Sequence, residues 1–93
     1  MQLKNIKEKA IPILKRNHVI KAGIFGSYAT GRQTRHSDVD ILVKFEGKRS
    51  LLEVVKLKRE LERKFKKKVD IITYTSIHKP IKKKIMSEEK RIL

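Results

Sequence analysis

Apolar residues recur along this chain in two rhythms, and the switches between them predict alternating helices and strands. Over residues 2–17, Leu3, Ile6, Ala10, Ile13 and Leu14 keep helical spacing. Pro12 interrupts that stripe, where its missing N–H predicts a kink or a restart, and Asn17 is suited to close the helix. Residues 19–25 read as a strand, with Gly23 marking a close backbone approach or a bulge. A short helix is expected from Ser27, its N-cap, to a break at Gly31. The branched apolar run of residues 38–45 is a second strand. Ser50 and Glu53 have capping-box spacing. From there Leu51, Val54, Val55, Leu57, Leu61 and Phe65 give a helix one apolar face to about Lys67. Residues 68–74 form a third strand. Pro80 then opens a last helix, with Ile77, Ile81, Ile85 and Ile92 expected along one face. The order is α-β-α-β-α-β-α, and 93 residues suffice for one small domain.

Composition narrows the function classes. There is no cysteine, so disulfides, thiolate metal sites and cysteine nucleophiles are excluded. No apolar run approaches the roughly 18–20 residues of a membrane span, and the first residues lack a secretory core. A cytoplasmic location and no membrane partner are the expectations. The formal charge is +15, from 25 basic and 10 acidic residues. It admits nucleic acid, an acidic protein partner or an anionic nucleotide. A hyperthermophile-like surface accounts for it equally well. Three Phe, two Tyr and no Trp leave little for base stacking, so nucleic acid is not favoured.

The chemistry concentrates between residues 26 and 40. Gly26-Ser27 follows an apolar strand, and a glycine there lets a phosphate approach the main chain. A Gly-Ser pair alone is usually only a turn. Asp38 and Asp40 head the next strand, where alternation points both carboxylates to one face with α-carbons about 6.5–7 Å apart. That spacing suits two metal ions roughly 3.5–4 Å apart. Strand interiors disfavour aspartate; loop capping explains Asp38 but poorly explains Asp40. Asp70 repeats the anomaly in the third strand. If the two strands are neighbours, three carboxylates converge, and divalent cations would relieve their repulsion.

Together, Gly26-Ser27, the Asp38-Val39-Asp40 pair ten residues on, and Asp70 resemble the nucleotidyltransferase signature of the polymerase-β superfamily. The short length and the flanking Gly31-Arg32 and Ser37 are similar to its smallest branch, the minimal nucleotidyltransferases (MNT). The resemblance spans about Ile20 to Thr73. It implies an α/β (α+β) nucleotidyltransferase fold: a short mixed sheet of three core strands, helices packed against it, and the site at a sheet edge. It implies transfer of a nucleoside monophosphate from ATP to a hydroxyl, with pyrophosphate released. It also implies an antitoxin role, adenylylating a tyrosine of a HEPN-domain toxin. Asp38 and Asp40 would bind both Mg²⁺ ions, and Asp70 would complete the metal site that activates the acceptor. Gly26 and Ser27 would hold the β/γ-phosphates, with Arg32 and Ser37 as further nucleotide contacts. Tyr28, Arg35 and His36 rank behind them. One departure stands out: family members often carry arginine where this chain has Thr30.

Two other readings stay open. The acceptor could be a small molecule such as an aminoglycoside, with a separate subunit supplying its pocket. Alternatively the chain is a non-catalytic basic module for an acidic partner or nucleic acid. A homodimer is compatible with either.

Overall fold

A computed structural model describes residues 1–93. Helix α1 (Leu3–Arg16) leads to strand β1 (Val19–Phe25), the one-turn helix α2 (Ser27–Thr30) and strand β2 (Val39–Phe45). Helix α3 (Leu51–Phe65), strand β3 (Val69–Thr73), a 3-10 turn (Tyr74–Ser76), helix α4 (Lys79–Glu88) and strand β4 (Lys90–Arg91) complete the chain. The sheet order is β3-β2-β1-β4. Strands β2 and β3 are parallel, joined through α3, while β1 runs antiparallel to both β2 and β4. The mixed sheet therefore has four strands where the hydrophobic pattern gives three. The fourth is two charged, exposed residues, too short to leave a period.

Period-two alternation divides β2 between two faces. Val39, Ile41 and Val43 turn toward α1 and α3 and join Ile6, Leu14, Leu57 and Leu61 in a cluster of 17 buried residues. Full burial of each leucine there contributes about 1.5–3 kcal/mol. Leu42 turns the other way, to a cluster of three with Ile77 and Ile85 under α4. Ile92 belongs to the larger cluster rather than to the α4 face, and Ile81 is 46 % exposed.

Some local expectations hold and others change. Helix α1 runs through Pro12 as one element, and Asn17 closes it, its side-chain amide donating to the Ile13 carbonyl at 2.8 Å. The irregularity in β1 falls between Val19 and Lys21, not at Gly23. Gly23 is the close approach expected there: it lies under the Glu89 side chain, which a Cβ would strike. Glu89 accepts a hydrogen bond from the Tyr74 hydroxyl, so the chain after α4 is latched to the sheet. Ser50 caps α3 by accepting from the Glu53 N–H at 3.3 Å. Leu51, placed in the apolar stripe by spacing, is 76 % exposed, because this first turn of α3 overhangs the outer side of β3. No helix is long and apolar enough to cross a membrane.

Candidate active site

The register of three strands sets the site. Asp40 is the Cα partner of Asp70 across the parallel pair and of Phe25 across the antiparallel one. Because partners in register share a face, Asp40 and Asp70 project side by side, on the face that carries Leu42 and Ile72. Residue 26, the first beyond β1, therefore lies next to the carboxylate pair.

Gly26 is required there for two reasons. Its backbone, at φ 72° and ψ −151°, occupies a region that is essentially glycine-only. A Cβ on it would also collide with Oδ2 of Asp40. Gly26, rather than Ser27, is the N-cap of α2, and Ser27 is its first helical residue. The Gly26 carbonyl accepts from the N–H groups of Ala29 (3.1 Å) and Thr30 (3.2 Å). The N–H groups of Ser27 and Tyr28 have no partner within so short a helix. Thr30 braces the turn: its hydroxyl reaches the Gly26 and Ser27 carbonyls at 3.3 and 3.4 Å. Gly31 ends the helix in the left-handed region at φ 75°.

The carboxylates are unequal. Burial pushes the Asp40 carboxyl up to about 6; the charge of Asp70, a hydrogen bond between the two carboxyls and, most weakly, the charge of Asp38 add to the shift. Asp38 immediately precedes β2, which begins at Val39, so strand alternation does not fix its direction. No three acidic or imidazole side chains lie close enough to cage an ion. The structure thus pairs Asp40 with Asp70 and lets the charge of Asp38 act on Asp40, without the three-carboxylate cage that is the expectation.

The remaining candidates occupy the loop between α2 and β2. Arg32 is exposed and forms no ion pair. Ser37 is engaged locally, its hydroxyl accepting from the Thr34 N–H at 2.9 Å. Arg35 and His36 are exposed; the Arg35 carbonyl is held by the Lys67 ammonium. Tyr28 is buried in the main cluster and is a packing residue.

Lys58 is the site residue that sequence reasoning missed. It shares a cavity of about 490 Å³ with Asp40 and Asp70, whose other walls include Phe25, Val54, Val55 and Ile72. The signal was weak because a lysine on the polar side of a helical pattern reads as solvated surface. The donor set is all carboxylate oxygen, the hard chemistry that Mg²⁺ prefers. With the opening that Gly26 leaves over Asp40, these residues fit a divalent cation.

Comparison with known proteins follows the same lines. Residues 8–93 match the family model described as Polymerase beta, Nucleotidyltransferase. A Methanocaldococcus jannaschii chain with the provisional name protein adenylyltransferase MJ0435 is 48 % identical over 93 residues, covering 100 % of both chains. A solved toxin–antitoxin structure with AMP-PNP superposes with a TM-score of 0.82 at 25 % identity, over 94 % of this chain and 72 % of that one. A structure of the tri-AMPylated Shewanella oneidensis HEPN toxin with its MNT antitoxin gives 0.75 at 20 % identity, over 97 % and 71 %, a likeness of fold.

Proposed function

The chain belongs to the polymerase beta nucleotidyltransferase family, and from that premise we propose that it transfers AMP from ATP to a hydroxyl of a partner protein. The acceptor we assign is a tyrosine of a HEPN-type toxin, which makes the chain an antitoxin acting in the cytoplasm. The 93 residues serve as a single nucleotidyltransferase domain. The observation that carries this reading is the in-register pairing of Asp40 with Asp70 beside a turn that only glycine can make. The adenylyltransferase name of the Methanocaldococcus relative and the toxin–antitoxin structure with AMP-PNP support the donor and the partner.

Asp38, Asp40 and Asp70 would hold two Mg²⁺ ions. When bound, Mg²⁺ offsets charge on the triphosphate and on the attacking and leaving oxygens. The residues of the chain do the rest. The free N–H groups at Ser27 and Tyr28 face the β/γ-phosphates, and Gly26 gives them room. Arg32 pairs with phosphate oxygens, and Ser37 holds the loop that presents Asp38. The acceptor oxygen forms a bond to the α-phosphorus while the bond to the β-phosphate oxygen breaks and pyrophosphate leaves. Asp70 takes the hydroxyl proton.

Incubation with ATP labelled on the α-phosphate, Mg²⁺ and an adjoining HEPN-type gene product tests the reading. Label on that product, lost with Asp40→Asn, is the expected result. Neutralisation of the partner without label, unchanged in Asp40→Asn, would replace the enzyme with a basic binding module.

A further inference from the structure

The acceptor must reach Asp70, and the structure holds a path to it. The cavity containing Asp40 and Asp70 adjoins, at Val54, a second of about 460 Å³ that opens beyond the C-terminal ends of β2 and β3. The character of this groove changes along its length. At one end are the carboxylates, with Lys58 beside them. In the middle, Leu51, Val54 and Val55 of α3 face Ile71 and Ile72 of β3. At the far end stand Lys21, Lys44 and Arg49. Lys44 and Lys21 form no ion pair, and Arg49 has only Glu53, at 3.6 Å. Lys21 lies over the Tyr74 ring, 4.4 Å from its centroid.

The strand bordering this groove is also open. β3 is an edge strand. Lys68 accepts from the Val39 N–H, so its main-chain groups face β2, whereas the Val69 N–H turns outward to the Glu62 carboxylate at 3.1 Å. Ile71 follows Val69 by the two-residue repeat, which leaves its N–H and C=O to a further strand. An edge of this kind, flanked by apolar and charged pockets, recognises extended peptide.

We infer that this groove seats the acceptor segment of the partner: an extended stretch, apolar in its middle, with a carboxylate three to five residues from the hydroxyl that receives AMP. The inference rests on the reaction proposed above. The spacing follows from the register, since the cationic end lies beyond Thr73 and the hydroxyl lies at Asp70, about 10–15 Å away at some 3.3 Å per residue. Charge complementarity selects this occupant. A second copy brings another +15 to a cationic groove, and nucleic acid leaves Leu51 without an apolar partner.

The test separates the groove from the chemistry. A short fluorescein-labelled peptide has one tyrosine, alternating valines and threonines, and two glutamates about four residues on. Its binding is followed by fluorescence anisotropy without ATP, against the same peptide with lysines for glutamates. The glutamate peptide is expected to bind at least about tenfold more tightly. Lys44→Glu, an exposed position, should reverse that preference, and Leu51→Glu should weaken both peptides, each variant keeping the parent melting temperature. Equal binding of the two peptides, no binding at millimolar concentration, or indifference to both variants overturns the inference. So does displacement by an oligonucleotide that depends on Lys44 but not Leu51, or a dimer that Leu51→Glu disperses. AMP transfer to the gene product that both variants leave intact removes the groove and keeps the reaction. Peptide binding by this pattern with no AMP transfer keeps the groove and removes the reaction.

Discussion

The two faces of one sheet do different work with alternate residues of the same strands. Toward α1 and α3, Val39, Ile41, Val43 and Val69 are fully buried in a cluster of 17. Toward α4, Asp40, Leu42, Asp70 and Ile72 share a thinner layer in which only three residues form a buried cluster. The dense face supplies the stability that lets the other keep two carboxylates side by side. Stability and chemistry are thus one residue apart in sequence and opposite in direction.

Substitutions can break that division. Asp40→Asn should lower AMP transfer by about a thousandfold or more, as loss of a metal-binding, charge-stabilising group does. Its thermal melt should match or exceed that of the parent, because the like-charge conflict with Asp70 is gone. A large drop in melting temperature would mean that Asp40 is structural. On the dense face, Leu57→Ala should cost about 2–5 kcal/mol in denaturant unfolding, with kcat of the surviving folded fraction little changed. Gly26→Ala lies between the two. Its forced φ and its collision with Asp40 should cost about 1–3 kcal/mol in unfolding and should abolish transfer as well.

The pH response is the finest probe. The Asp40 carboxyl is raised to about 6 in the folded chain from 3.8. The folded state therefore holds this proton more tightly than the unfolded one, and metal-free protein should lose stability as pH rises through about 6. Mg²⁺ binds the ionised form. Its addition should raise the melting temperature more at pH 7.5 than at pH 5, and EDTA should reverse the gain. Equal shifts at both values would remove Asp40 from the metal site.

Sequence made the acids legible and the geometry around them only partly so. Asp40 and Asp70 stood out because strands disfavour them, and the parallel β2–α3–β3 unit pairs them. The direction of Asp38 was not legible, because it depends on β2 starting one residue later than the apolar pattern suggests. Capping preference pointed to Ser27, yet the conformation at the turn is one that a residue with a Cβ avoids, so Gly26 holds the cap. Spacing assigned Leu51 to the core and Lys58 to solvent. Both line the groove, because α3 extends past the edge of the sheet, and a helical period carries no information about where a sheet stops.

Gly26 and Asp40 share one small volume, and that sharing gives the site a history as well as a shape. While Asp40 keeps its place, a Cβ at 26 strikes its Oδ2. Once a lineage loses Asp40, the collision disappears and a side chain at 26 meets only the cost of the positive φ. Restoring aspartate at 40 then returns the acid to a place already taken. Inactive descendants of this fold should therefore accumulate a second change at 26 after the first at 40.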